Sequence, residues 1–341
     1  MCSPDQHAAS SSGVTERPVV AITHSNLQGD PASRLSSIAD VRVWEKSVPP
    51  TTDEIAALAE GATALLCLAT DTISDALLAR LPELRLVALA SVGYDSVDVA
   101  AAARRSVYVT NTPGVLSEAV ADTTFGLILA ARRRLAEADR YVRAGLWKES
   151  GLTLMVGLDV HGSTLGLIGY GAIARAVARR ATGFAMTVLY YDPHRNDDNF
   201  ATYTPLDVLL RVSDIVSIHT PLMPGTRGLL GEKEFRVMKP TTTFVNTARG
   251  GVVDEAALVR ALREGWIGSA GLDVQQVEPN PDPNDPLLSF PNCVVLPHIG
   301  PASVAARVAA VMCAVENIEA VLAGRPPLTP VAVTTRGPAT G

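Results

Sequence analysis

The sequence predicts an α/β fold made of two units, each built on a parallel sheet. Three observations predict it. Short apolar runs of four or five residues alternate with longer helical stretches along the chain, the pattern of strands joined by crossover helices. The alternation breaks once, at Pro113-Gly114, and resumes at Thr164. The chain has 341 residues, 47% of them hydrophobic, enough for two cores.

In the first half, strands are predicted at Val19–Thr23, Val41–Trp44, Ala64–Leu68, Leu86–Leu89 and Tyr108–Asn111. Helices are predicted at Thr52–Glu60, Ser74–Arg80 and Val97–Arg105. Thr51 or Thr52 is the N-cap of the first, with Glu54 in its first turn, and Pro82 stops the second. After the break, Ser117–Leu135 carries apolar residues at helical spacing over about five turns, long enough to bridge two units. Gly145–Gly162 reads as a connection. Strands follow at Leu165–Ile168, Thr187–Tyr191, Ile215–Ile218, Phe244–Asn246, Ser269–Leu272 and Val294–Leu296, with helices between them, the count of a doubly wound sheet. Pro301–Leu322 is an Ala/Val-rich helix, and the proline-rich end is irregular.

Composition excludes several classes. Net charge is −6, so there is no footprint for nucleic acid. Arg132–Arg134 is the one dense basic run and reads as a solvated helix face. The four cysteines show no CxxC spacing. Cys67 and Cys313 lie in apolar runs and are expected to be buried, inert thiols, in keeping with a reducing cytoplasm. No run of about 20 apolar residues could span a membrane. Met1–Glu16 lacks the apolar core of a signal peptide and is expected to be a loose tail. No His/Asp/Glu cluster has metal-ligand spacing.

The most informative stretch is T-L-G-L-I-G-Y-G-A-I-A, Thr164–Ala174, followed by a second apolar run that ends on Asp192. Strand, Gly169-x-Gly171-x-x-Ala174, helix Ile173–Arg180, strand and acid form the Rossmann dinucleotide fingerprint. Gly169 permits the tight turn, and Gly171 lets backbone approach a pyrophosphate. Ala174 lets helix and strand pack closely, and the helix N-terminus at Ala172-Ile173 offers N–H groups to phosphate. Asp192 can accept hydrogen bonds from both ribose hydroxyls and would repel a 2′-phosphate. NAD(H) is therefore expected in preference to NADP(H).

Three further segments sit at carboxyl ends of predicted strands, where ligands bind in open α/β sheets: N-T-A-R-G from Asn246, L-D-V-Q-Q-V-E-P from Leu272 and L-P-H-I-G from Leu296. Reduction of a carbonyl beside a carboxylate needs a fixed, forked cation, and Arg249 suits that. It needs an acid for the developing alkoxide, and His298 can serve near neutral pH. It needs a carboxylate to hold that imidazole, and Glu278 fits. Val92 and Gly93, in Ser91–Asp95, offer consecutive N–H groups to a substrate carboxylate, beside Arg249 and His298. Thr220-Pro221 ends another strand and would flank the adenine. The cleft between the two units is the expected meeting place of substrate and cofactor.

Together these motifs, with T-N-T-P-G-V-L-S-E-A-V-A-D from Thr110, resemble the D-isomer-specific 2-hydroxyacid dehydrogenase family over about Val19 to Val333, and within it glyoxylate/hydroxypyruvate reductases. The resemblance implies a flavodoxin-like substrate domain, residues 17–112 and 299–333, interrupted by an inserted doubly wound NAD-binding domain, residues 113–298, with tails at 1–16 and 334–341. It implies a cytoplasmic homodimer built through the NAD-binding domains and reduction of a small 2-keto acid to its D-2-hydroxy acid. Arg249, Glu278 and His298 match the catalytic trio, Val92 and Gly93 the carboxylate-binding amides, and Asp273 the acid that contacts the nicotinamide carboxamide. Thr226, Thr247, Ala248, Arg249, His298 and Gly300 complete the expected cofactor contacts. This chain departs from the family at Gln275, where an aromatic is usual, at Pro301, where Ser is usual, and at Ala172-Ile173-Ala174, where Arg-Ile-Gly is usual. Phosphoglycerate or phosphite dehydrogenase activity, or a non-catalytic NAD-sensing role like that of corepressors with this fold, are the alternatives.

Overall fold

The structure, a computed structural model, describes residues 17–149, 151–196 and 198–332. Cys2 and both expected tails lie outside the described residues, as does Val333. The chain forms two compact units. One comprises the residues up to Ala90, Ser96–Asn111 and those from Val311 onward; the other comprises Ser91–Asp95 and Thr112–Ala310.

The first unit holds strands Val19–Ile22 (β1), Asp40–Val43 (β2), Ala64–Cys67 (β3), Leu86–Leu89 (β4) and Tyr108–Thr110 (β5). Between them run helices Pro31–Ser36 (α1), Thr52–Leu58 (α2), Asp75–Ala79 (α3) and Val99–Arg104 (α4). The sheet is parallel with order β2-β1-β3-β4-β5, the flavodoxin-like order. Strands β3 and β4 are buried along their whole length, as expected where both faces are covered. Leu65, Val87 and Leu89 face Ile55, Leu77 and Leu78, while Ile22, Leu66 and Leu86 face Val311, Val315 and Ile318 from the last helix. Each fully buried side chain of this size contributes about 1.5–3 kcal/mol. Thr51 caps α2 in a reciprocal box: Glu54 N–H donates to Thr51 Oγ1 at 3.3 Å, and Thr51 N–H donates to Glu54 Oε2 at 2.9 Å.

The second unit opens with helices Ser117–Arg132 (α5) and Leu135–Arg143 (α6). Its strands are Thr164–Ile168 (β6), Thr187–Tyr191 (β7), Thr202–Tyr203 (β8), Ile215–Ile218 (β9), Thr243–Asn246 (β10), Ser269–Leu272 (β11) and Cys293–Val295 (β12). Helices Ala172–Ala181 (α7), Leu206–Val212 (α8), Glu232–Val237 (α9) and Glu255–Arg263 (α10) connect them, and Val304–Leu322 (α11) begins in this unit and ends in the other. The sheet order is β12-β11-β10-β9-β6-β7-β8 with every pair parallel. Strand β6 pairs with β7 on one side and β9 on the other, so the fingerprint lies where the winding reverses. In such sheets that crevice is where ligands bind.

Four sequence expectations change. The helix expected over Ser117–Leu135 ends at Arg132, Arg134 takes a left-handed conformation at φ 57°, and α6 starts anew at Leu135. A two-residue edge strand, β8, adds a seventh strand. Arg132 does not belong to a solvated face: it is 7% exposed. Its Nε donates to the Asp159 carbonyl at 2.7 Å and its Nη1 to the Asp214 carbonyl at 2.9 Å, so the buried cation spends its donors on backbone acceptors. Among the cysteines, Cys67 and Cys293 are buried, whereas Cys313 is partly exposed. No helix among the described residues is long and apolar enough to cross a membrane.

Candidate active site

The fingerprint turn is built as its residue types require. Gly169 has φ 86°, and a Cβ there would lie 2.9 Å from the His219 backbone and from Thr220 Oγ1, so only glycine fits. Gly171 is the N-cap of α7 and supplies no side-chain cap, and nothing stands within 4 Å of where its Cβ would be. The turn therefore leaves room for a phosphate to reach the first N–H groups of α7. Ala174 is fully buried against the β6 side of the core, and Ile173 packs against the small cluster of Leu116, Val120, Ala306 and Ala310. At the end of β7, Asp192 Oδ2 accepts the Tyr170 N–H and Oδ1 accepts the His194 N–H, each at 2.8 Å. The carboxylate is thereby fixed at the turn, and each oxygen retains a lone pair for a ribose hydroxyl.

Arg249 follows β10. Asn246 braces its turn: Nδ2 donates to the Arg249 carbonyl at 3.0 Å, and Oδ1 accepts the Ala248 N–H at 2.9 Å. The Arg249 side chain donates from Nε to Asp95 Oδ1 at 3.1 Å and from Nη1 to the Ala248 carbonyl at 2.8 Å. Its Nη2 lies against Gly93, and a Cβ on residue 93 would overlap it. The forked cation and the Val92-Gly93 backbone thus meet at one place.

His298 and Glu278 come together on the loops after β12 and β11. Glu278 Oε2 is 2.6 Å from His298 Nδ1, and Oε1 accepts the Gln275 N–H at 2.7 Å. Burial pushes the Glu278 carboxyl up, but the His298 ring, the Gln275 N–H and the Arg249 charge outweigh it and hold it below its ordinary value. The peptide bond Glu278-Pro279 is cis. His298 itself sits at φ 53°, a left-handed conformation that side chains rarely adopt unless their surroundings enforce it. Asp273 enforces it: Oδ1 accepts the Ile299 N–H at 2.8 Å, Oδ2 accepts the Gly300 N–H at 2.7 Å, and the Asp273 carbonyl accepts the His298 N–H at 3.0 Å. Asp273 is 1% exposed, and burial raises its carboxyl pKa against those two donors.

The remaining expected contacts ring the same edge. Thr220 Oγ1 donates to the Ile168 carbonyl at 3.2 Å, beside Gly169. The Thr226 hydroxyl serves its own turn, donating to the Pro221 carbonyl at 2.6 Å. Buried Thr247 shares a hydrogen bond with Thr124 of α5 at 3.0 Å. Sequence reasoning missed Asn246, Asp95 and the backbone of Gln275 as supports. Asn246 and Asp95 sit inside motifs quoted for their neighbours; their role follows from hydrogen bonds that spacing does not reveal. Among the described residues, no group of three or more His, Cys, Asp or Glu side chains is placed to hold a metal ion.

Known proteins resemble this chain in both sequence and fold. The sequence profile of "D-isomer specific 2-hydroxyacid dehydrogenase, NAD binding domain" matches residues 125–300. A glyoxylate reductase of Korarchaeum cryptofilum is 46% identical over 300 residues, covering 86% of this chain and 90% of that one. A Thermus thermophilus crystal structure superposes with a TM-score of 0.87 at 42% identity, covering 92% of this chain and all of that one. An NADPH-dependent glyoxylate/hydroxypyruvate reductase of Sinorhizobium meliloti, solved with NADP and malonate, superposes with a TM-score of 0.84 at 34% identity, covering 93% and 97% of the two chains. With the trio assembled at the carboxyl edge of a dinucleotide-binding sheet, the chain belongs to the D-isomer-specific 2-hydroxyacid dehydrogenases and is an oxidoreductase acting on CH–OH groups.

Proposed function

We propose that this protein reduces a small 2-keto acid with NADH, glyoxylate to glycolate or hydroxypyruvate to the D-2-hydroxy acid. The observation that carries the reading is the 2.6 Å contact between His298 and Glu278, with Arg249 and the Val92-Gly93 backbone in the same unit. A bound nicotinamide supplies the hydride. Arg249 and the amides of Val92 and Gly93 hold the substrate carboxylate, and Arg249 polarises the neighbouring carbonyl. Glu278 engages Nδ1 of His298, which leaves Nε2 to donate the proton that the carbonyl oxygen takes up as hydride reaches the carbon. Run in reverse, the same imidazole is the base. The substrate names borne by the glyoxylate reductase relatives support the small-acid preference.

The cofactor preference rests on Asp192, whose carboxylate is fixed at the fingerprint turn by Tyr170 and His194 and disfavours a 2′-phosphate. The Sinorhizobium relative is described as NADPH-dependent, so the preference is set by local residues and not by the fold. We take the Thr112–Ala310 unit as the cofactor domain and the other as the substrate domain.

The proposed quaternary state is a homodimer through the cofactor domain. Helix α6 buries none of its residues, and Leu146, Trp147, Leu152 and Val156 beyond it are more than half exposed. A cavity of about 530 Å³ lies beside them, lined in part by Tyr141, Leu146, Leu288 and Phe290. So much exposed apolar surface suits burial by a second copy.

The test is a kinetic screen of glyoxylate, hydroxypyruvate and pyruvate with NADH, and of phosphite with NAD⁺, run alongside sedimentation velocity. NADH oxidation with glyoxylate or hydroxypyruvate by a dimer is expected. Turnover of none of the keto acids would overturn the reading.

A further inference from the structure

We propose that Gln275, anchored by the buried carboxylate of Asp285, is the positioning residue that sets how Glu278 meets His298. The inference rests on the hydride-transfer reading of the trio. Three parts of Gln275 are engaged at once. Its N–H donates to Glu278 Oε1 at 2.7 Å, so only Oε2 is turned to His298. Its carbonyl lies against Gly250, the residue after Arg249, so closely that a Cβ on residue 250 would overlap it. Its side-chain Nε2 donates to Asp285 Oδ2 at 3.1 Å.

Asp285 is 8% exposed and takes donors from both sides of the loop. Besides Gln275, Asn280 Nδ2 donates to Oδ2, and the Leu287 N–H donates to Oδ1 at 2.8 Å. Residues 275 and 280 flank Glu278 and end on the same carboxylate. The loop is therefore tied at both shoulders, and Glu278 has little freedom to turn away. A half-exposed carboxylate on an untied loop would sample many rotamers, each order lost being a cost at the moment of proton transfer. The neighbouring Gln276 N–H donates to Glu255 Oε2 of α10 at 2.8 Å, which fixes the loop to the helix as well.

Gln275 does not touch the reacting atoms. It acts through Glu278, which meets His298 Nδ1 at 2.6 Å, so its signature is the pH profile of turnover. The charged groups around that ring are Glu278 and Asp273 from the β11 side and Arg249, paired with Asp95, from the β10 side. Of these, Glu278 alone is oriented by Gln275. A turned-away Glu278 no longer pairs with the proton-donating ring, so the pH profile of reduction is expected to move towards lower pH.

The experiment measures kcat/KM for glyoxylate against pH, and NADH affinity, in the wild type, Gln275→Met and Gln275→Glu. Met keeps the length and removes the donor; Glu places a second carboxylate against Asp285. Both variants are expected to lose roughly 10- to 100-fold in kcat/KM and to move the alkaline limb down by about half a pH unit or more, with NADH affinity unchanged. An alkaline limb that stays in place in both variants, whatever the loss of rate, overturns the proposal. Absence of wild-type turnover would instead refute the hydride-transfer reading itself.

Discussion

The guanidinium of Arg249 occupies the space that any side chain at residue 93 would need. Under the proposed function Gly93 is a clearance for the substrate clamp as well as a supplier of N–H. The clash in a Gly93→Ala variant falls on the far end of a flexible side chain, so the fold should survive with little change in Tm while Arg249 is pushed aside. We expect kcat/KM for the keto acid to fall roughly 10²-fold, mostly in KM, with NADH affinity retained. Steady-state kinetics with a thermal melt check both halves.

Asp192 gives a second expectation. Its carboxylate accepts the Tyr170 and His194 N–H groups at 2.8 Å, so under the proposed cofactor reading it is already oriented for the ribose. Hydrogen bonds to a charged group contribute about 1.5–3 kcal/mol, so Asp192→Ala should weaken use of NADH by roughly 10- to 100-fold and shrink its advantage over NADPH. Paired kcat/KM values for the two cofactors decide it; equal use of both by the unchanged protein would show that Asp192 does not read the ribose.

A third concerns acid stability. His219 is partly buried beside the fingerprint turn, its Nε2 is 2.9 Å from Ser217 Oγ, and desolvation lowers its pKa from 6.5 to about 4. Unfolded, the ring takes a proton near pH 6.5; folded, it resists until about pH 4. The unfolded chain therefore binds more protons across that window, and the folded state loses stability as pH falls through it, by about 3 kcal/mol in all from this group. Above pH 6.5 the group contributes no slope. Urea midpoints measured from pH 7 to 4 should fall more steeply for the wild type than for His219→Gln.

Much of this site is legible in the sequence because each part combines a strand end with one side chain of unmistakable chemistry. The apolar run before Gly169 and the acid after β7 are both local signals, and the strands fall within a residue or so of their expected ends. What stayed hidden depends on partners far along the chain. Arg132 looks like one of three solvated arginines until the Asp159 and Asp214 carbonyls come beside it. Asp273 reads as a cofactor contact, whereas in the fold its oxygens hold the turn that carries His298. Helix α6 begins directly after a left-handed residue, Arg134, a break that apolar spacing running on to Leu135 does not mark, and β8 is too short for any period.

The most direct test is the turnover of His298→Ala with glyoxylate and NADH, measured with cofactor affinity on the same preparation. If His298, held by Glu278 at 2.6 Å, is the proton donor, kcat should fall by roughly 10²- to 10⁴-fold while NADH binds as before. Near-normal turnover would contradict the role assigned to the pair.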